Sequence, residues 1–180
     1  MNDYQSGVLP FTAFILAGGV GSRLRTVVSD RPKPMALIGD KPFLDILIET
    51  LVEKGVSKIV LLTGYMSGHI EKHANKYHDS NVVVQISREE TPLGTGGAVR
   101  NALNFASDPT LLVNGDTYFE VNIQDLYNFH LHHNAEVTLS LGRVPDVGRY
   151  GAVLIGADHR IEDFQEKSET ICGPGLINAG

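Results

Sequence analysis

The residues best equipped for chemistry lie in short blocks, and the first is the richest. Ile15-Leu16-Ala17-Gly18-Gly19-Val20-Gly21-Ser22-Arg23-Leu24 leads from an apolar run through three glycines into a helix-like start. Glycines permit positive φ and close backbone approach, so successive N–H groups can cradle phosphate oxygens. Arg23 adds a planar fork of charged donors that matches phosphate geometry. Two other phosphate loops do not fit. A G-x-G-x-x-G fingerprint begun at Gly19 meets Leu24 where its last glycine belongs, which disfavours a dinucleotide-dependent oxidoreductase. The Gly-Lys-Ser/Thr ending of a P-loop follows neither Gly18 nor Gly19. The second block, Arg31-Pro32-Lys33-Pro34-Met35, sets a lysine between two prolines. Prolines fix φ and bias their predecessors to extended backbone, so Lys33 is expected in a stiff segment. A preorganised cation near an anion-cradling loop is what phosphoryl chemistry requires. In the third block, Asn114-Gly115-Asp116 follows apolar Leu111-Leu112-Val113. A carboxylate at the C-terminal end of a parallel strand projects into the crevice where open α/β sheets bind ligands.

The elements that must position these groups alternate between two periods. Apolar, often β-branched runs at Ala13–Ala17, Ile59–Thr63, Val82–Ile86, Thr110–Val113 and Glu136–Leu141 predict strands. Between them lie helical spacings. In Pro42–Lys54, Phe43, Ile46, Leu47 and Leu51 fall on one face, with Pro42 suited to a first turn and Gly55 to a stop. Ser67–His78, Gly97–Ala106 and Ile123–His133 are the other expected helices. This alternation predicts an α/β fold with a mainly parallel sheet covered on both faces. After residue 134 the chain becomes strand-rich and glycine-punctuated, so antiparallel strands or a hairpin are expected there.

Composition narrows the function classes. The 180 residues suit one domain, 1–180, with a sizeable core. A formal net charge of −6 without a Lys/Arg run argues against bulk binding to nucleic acid or to an anionic membrane. Cys172 is the only cysteine, which excludes an intramolecular disulfide and a cysteine metal cluster and suits the cytoplasm. The polar Met1–Pro10 segment lacks a signal-sequence pattern. His69 with His73, and His130 with His133, have helical spacing but no accompanying ligand set, so solvated polar helix faces are expected. Ile177-Asn178-Ala179-Gly180 ends on what reads as the start of a buried strand, so a C-terminally truncated piece of a longer chain is expected.

Leu16-Ala-Gly-Gly-x-Gly-x-Arg-Leu followed by Pro32-Lys-Pro-Met resembles the sugar-phosphate nucleotidyltransferases, whose signature is this pair of segments. Later blocks match in order. Glu89-Glu90-Thr91-Pro92-Leu93-Gly94-Thr95-Gly96-Gly97 is similar to the family's second glycine-rich loop, which wraps base and ribose. Arg149-Tyr150-Gly151 and Phe164-Gln165-Glu166-Lys167 resemble its sugar-binding segments, and Asn178-Ala179-Gly180 the segment that closes the sugar site. The resemblance spans residues 13 to 180. It implies a three-layer α/β/α, Rossmann-like nucleotide-diphospho-sugar transferase fold with a mainly parallel mixed sheet. The family carries a second metal-binding aspartate downstream of Asn178, a position this sequence does not include.

By that resemblance an oxygen of a sugar 1-phosphate attacks the α-phosphate of an NTP, and pyrophosphate leaves. Leu16, Ala17, Gly18, Gly19, Gly21, Arg23 and Lys33 would hold the nucleotide, with Glu89, Pro92, Gly94 and Thr95 around base and ribose. Arg23, Lys33, Asp116 and Lys167 would be the catalytic set, with Asp116 holding Mg²⁺. Gly151, Glu166, Lys167 and Asn178 would hold the sugar phosphate. The run Arg23-Leu24-Arg25-Thr26, without the proline many relatives carry at Thr26, resembles the heptose 1-phosphate guanylyltransferases. Glu89 agrees with GTP, because a carboxylate accepts from both N1–H and the 2-amino group of guanine, whereas thymine and uracil offer one such donor. The substrate pair implied is GTP with D-glycero-D-manno-heptose 1-phosphate. Mannose 1-phosphate guanylyltransferase and hexose 1-phosphate thymidylyl- or uridylyltransferase are the neighbouring alternatives. A non-catalytic, regulatory sugar-nucleotide-binding module is the alternative of another class. A homodimer is compatible with the sequence, which does not fix the oligomeric state.

Overall fold

Strand β1 (Thr12–Leu16) is almost wholly buried, and so is β4 (Lys58–Thr63) after its first residue. Uninterrupted apolar runs of this kind belong in the middle of a parallel sheet covered on both faces. The computed structural model describes residues 7–19, 31–78, 80–168 and 170–179 and confirms this. A four-stranded sheet runs in the order β5 (Val83–Arg88), β4, β1, β6 (Thr110–Asn114), with every neighbouring pair parallel. The outer strands are less buried than the two central ones.

Successive side chains of a strand face opposite ways. Phe14 on β1, with Val60 and Leu62 on β4, packs against Ala98, Val99, Ala102 and Phe105, in and just after helix α3 (Gly94–Asn101). Ala13, Ile15, Ile59 and Leu61 alternate with these and are equally buried. Their face is left to α1 (Phe43–Glu53) and α2 (Ser67–Ala74), giving three layers. Helix α1 starts after Pro42 and ends at Glu53, and Gly55, just past its C-cap Lys54, has a φ of 93°. There Gly55 N–H donates to Val52 and Val56 N–H to Leu51, the bond pair of a Schellman cap. The hairpin β2 (Leu37–Ile38) and β3 (Lys41–Pro42) precedes α1.

These elements belong to a first unit, residues 1–118; a second comprises 119–180. In the second unit α4 (Ile123–His133) is capped by the Asn122 side chain, which accepts from Asp125 N–H, and closed by Asn134 in the left-handed conformation. Strand β7 (Leu141–Val144) pairs antiparallel with β10 (Gly175–Asn178), and β8 (Ala152–Ile155) with β9 (Ile161–Gln165).

The expected elements are present, with several displacements. The strand expected over Glu136–Leu141 begins at Leu141, where the β10 ladder starts, and Val137 is exposed. Helix α3 opens at Gly94, three residues before the expected Gly97; glycine's low propensity hid a first turn in which helical bonds are not yet required. It ends at Asn101, and a short 3₁₀ turn covers Leu103–Phe105, just as one over Asn75–Tyr77 follows α2. The buried stripe of α1 keeps Leu47 and Leu51 of the expected face but takes Leu44, Asp45 and Ile48 where Phe43 and Ile46 were expected. That helix is apolar on most sides, so its sequence fixed the period but not the phase.

Candidate active site

The chain proceeds from β1 to β4 and β5 on one side and then returns to lay β6 on the other side of β1. The crevice at such a reversal is where open α/β sheets bind ligands. Leu16 and Asn114 are neighbours in register at the C-terminal ends of the two strands. One residue further, Gly115 N–H donates to the Leu16 carbonyl at 3.0 Å. A Cβ on Gly115 would lie 2.3 Å from that carbonyl oxygen, so only glycine allows the approach. On the opposite side Ala17 N–H donates to Leu62 at 2.8 Å and Tyr65 N–H to Gly18 at 3.4 Å. The glycine loop therefore leaves β1 tied to the exits of both β4 and β6. Ala17 is buried, Gly18 half-buried and Gly19 exposed. Gly21 and Arg23 lie outside the described residues, as does all of 20–30.

Lys33 reaches this crevice from a distant part of the sequence. Pro32 and Pro34 are buried, and Met35 N–H donates to the Pro32 carbonyl at 2.8 Å. The stiffness inferred from the two prolines is thus present, but as a 3₁₀ turn over Lys33–Met35 instead of an extended run. Proline is tolerated in a first helical turn because its missing donor has no partner there. Lys33 Nζ bonds Asp116 Oδ2 at 2.5 Å, while Thr117 Oγ1 donates to Oδ1 at 3.2 Å. Both partners remain accessible, Lys33 at 32% and Asp116 at 42%. A half-exposed carboxylate suits a hard cation that takes its other ligands from phosphate and water. Among the described residues no group of three or more His, Cys, Asp or Glu could hold a metal by itself.

Glu89 stands at the exit of β5, its N–H donating to the Thr63 carbonyl at 2.8 Å. Its side chain turns back over the glycine loop. Cβ atoms placed on Gly18 and Gly64 would lie 3.1 Å and 2.6 Å from Glu89 Oε1. Oε2 accepts from Leu93 N–H at 3.2 Å, just before α3. Pro92, Gly94 and Thr95 are exposed beside it, and Gly94 and Thr95 form the first turn of α3 and not a loop before it. Leu16, Ala17, Gly18, Lys33, Glu89 and Asp116 thus gather at the C-terminal ends of the strands. Gly64 was not singled out from the sequence; an isolated glycine after a strand carries no signal that a carboxylate will rest on it.

In the second unit the backbone of Gly151 packs on the 165–167 segment, where an added Cβ would meet the Gln165 carbonyl oxygen at 2.5 Å and Lys167 N at 3.2 Å. Gly151, Glu166 and Lys167 are therefore neighbours, with Glu166 and Lys167 exposed. Asn178 is the last residue of β10, on the other two-stranded ladder.

The histidines divide. His130 pairs with Thr138 at 3.0 Å, and His133 stacks on Phe129 with ring centroids 4.2 Å apart. His73 is not a solvated surface group: its Nε2 meets buried Asp45 at 2.7 Å, beside Tyr77 Oη at 2.7 Å and Lys76 Nζ. Burial alone would raise the Asp45 carboxyl. Hydrogen bonds from Lys76, Tyr77 and His73, with the His73 charge, outweigh it and hold the group below its ordinary value. Burial and the Asp45 carboxylate push the Tyr77 hydroxyl far upward. This network joins α1 to α2 and the turn after it.

Residues 12–180 match the family model described as nucleotidyl transferase. The chain is 40% identical over 170 residues to D-glycero-alpha-D-manno-heptose 1-phosphate guanylyltransferase from Aneurinibacillus thermoaerophilus, covering 93% of this chain and 72% of that protein. It is 34% identical to mannose-1-phosphate guanyltransferase beta-B of Xenopus laevis, over 93% of this chain and 48% of that one. Among solved structures, HddC from Yersinia pseudotuberculosis complexed with GMP-PN superposes with a TM-score of 0.82 at 37% identity, over 94% of this chain and 74% of that one.

Proposed function

The chain belongs to the nucleotidyl transferase family, and on that premise we propose that it transfers GMP from GTP to D-glycero-D-manno-heptose 1-phosphate. The observation that carries this is the Lys33–Asp116 pair set at the β1/β6 reversal, beside the glycine loop, with the Glu89 carboxylate over that loop. We read residues 1–180 as one nucleotidyltransferase domain, the nucleotide groups falling in the first unit and the sugar-phosphate groups in the second.

An oxygen of the sugar phosphate forms a bond to the α-phosphorus of GTP as the bond to the β-phosphate oxygen breaks, and pyrophosphate departs. The nucleophile is already anionic at neutral pH, so no general base is required. Alignment and charge neutralisation remain as the protein's tasks. The amides of Gly18 to Gly21, with Arg23, hold the departing pyrophosphate. Lys33 neutralises charge between the two sets of phosphates. Its bond to Asp116 does not prevent this, since a pair this exposed is worth only about 0–1 kcal/mol and a phosphate can recruit the ammonium. Glu89 accepts from N1–H and the 2-amino group of guanine; Oε1 has no described donor, and Oε2 keeps a lone pair beside its Leu93 bond. Glu166 accepts from sugar hydroxyls, Lys167 meets the sugar phosphate, and Asn178 closes that site. Mg²⁺ held by Asp116 would supply further neutralisation of phosphate charge.

No helix among the described residues is long and apolar enough to cross a membrane. The exposed free thiol of Cys172 agrees with the cytoplasm as the compartment, and a homodimer is compatible with this reading. The test is pyrophosphate release with Mg²⁺ across GTP, ATP, UTP, CTP and dTTP, each against heptose, mannose and glucose 1-phosphates. Release confined to GTP with the heptose phosphate is expected. Release with GTP and mannose 1-phosphate would move the sugar, and nucleotide binding without release from any pair would leave a binding module.

A further inference from the structure

We infer that Gly64 is a positioning residue for base selection, holding no ligand itself but giving the Glu89 carboxylate the space it needs over the glycine loop. The inference deepens the guanine reading above and rests on it. Gly64 follows β4, and a methyl group there would lie 2.6 Å from Glu89 Oε1, 2.9 Å from Cγ and 3.2 Å from Cδ. Atoms do not approach that closely, so any side chain at 64 expels the Glu89 side chain from its present place. The expulsion is selective. Gly64 has no positive φ, and its three nearest neighbours are all Glu89 side-chain atoms. Gly18 adjoins Gly64, and a Cβ added there would likewise lie 3.1 Å from Oε1; Leu93 N–H fixes the other oxygen at 3.2 Å. The carboxylate is therefore held by two missing side chains and one backbone donor. Its direction, on which acceptance from both N1–H and the 2-amino group depends, is set by residues that touch no base.

The experiment measures dissociation constants for GTP and for inosine triphosphate, which lacks the 2-amino group, by titration calorimetry. The proteins are wild type, Gly64→Ala, Glu89→Ala and the double variant. Wild type is expected to prefer GTP by roughly tenfold or more, the loss that follows when a charged acceptor has no donor. Glu89→Ala should abolish the preference, and Gly64→Ala should lower it towards the same value while changing inosine triphosphate binding little. In the Glu89→Ala background Gly64→Ala should add nothing, because the clashing atoms are gone. If Glu89→Ala keeps the preference, the base assignment itself is wrong. If Glu89→Ala loses it while Gly64→Ala keeps it, the assignment stands and only the role of Gly64 is overturned. The same follows if Gly64→Ala weakens both nucleotides equally in both backgrounds. Should Gly64→Ala not fold, a folded double variant would demonstrate the clash, and a double variant that also fails would overturn it.

Discussion

Substituting Gly115 by alanine probes whether the exits of β1 and β6 are held at a fixed separation. The added Cβ would sit 2.3 Å from the Leu16 carbonyl oxygen and 3.0 Å from its carbon, both backbone atoms that no rotamer change can move. Ordinary contact begins near 3.4 Å, so the two exits must part by about 1.1 Å, the difference between 3.4 and 2.3. That opening also strains the Gly115 N–H to Leu16 bond, 3.0 Å as it stands. Overpacking of this sort costs about 1–3 kcal/mol, and the weakened bond about 1 more. Urea denaturation should therefore show a fall of roughly 2–4 kcal/mol with an unchanged m-value. The functional loss should be larger, since Asp116 follows directly and the glycine loop lies across the gap. A misplacement of about 1 Å lowers catalysis on the order of 100-fold, read as kcat/KM for pyrophosphate release. A Gly115→Ala protein with wild-type urea midpoint and wild-type kcat/KM would refute the clamp.

Lys33→Ala should lower kcat about 100-fold while raising KM for GTP only slightly, because its charge matters most as the phosphates rearrange; the reverse split in steady-state kinetics would make Lys33 a binding group only. Asp45→Asn should destabilise the fold by about 2–3 kcal/mol, less than a fully buried pair because Lys76 is 43% exposed and can return to water. The native Asp45 carboxyl is held below its ordinary 3.8, so its contribution is complete above that pH and disappears as pH falls through the native value. Thermal melts should therefore fall more steeply below about pH 4 in wild type than in Asp45→Asn, and equal slopes would remove Asp45 from the account. Gly68→Ala, in α2 with nothing within 4 Å of the new methyl, should raise stability by about 0.4–1 kcal/mol in the same melts; a loss would mean that α2 is packed more tightly there than described.

The parallel core was legible because β1 and β4 are uninterrupted apolar runs, a pattern that only a covered sheet can bury. The phosphate site was legible through residue types, since glycines after a strand, a lysine between prolines and an aspartate after a strand each have a physical use near phosphate. Their convergence was not. Lys33 and Asp116 are 83 residues apart, and the β1/β6 reversal that unites them is a property of strand order. The phase of α1 was hidden for a related reason: Asp45 reads as a surface carboxylate until the three donors that solvate it are placed. The early start of α3 escaped because propensity counts against Gly94, Gly96 and Gly97, whereas a first turn needs few helical bonds. Gly64 could not be found at all, since its meaning lies in the Glu89 side chain above it.

The central claim is that a sugar phosphate oxygen attacks the α-phosphorus of GTP. The direct measurement uses heptose 1-phosphate carrying ¹⁸O at its three non-bridging oxygens, with products read by ³¹P NMR. The account predicts one labelled oxygen bridging the two phosphorus atoms of the nucleotide sugar, and pyrophosphate free of label. Label in the pyrophosphate, or GTP consumed without any labelled bridge, would contradict it.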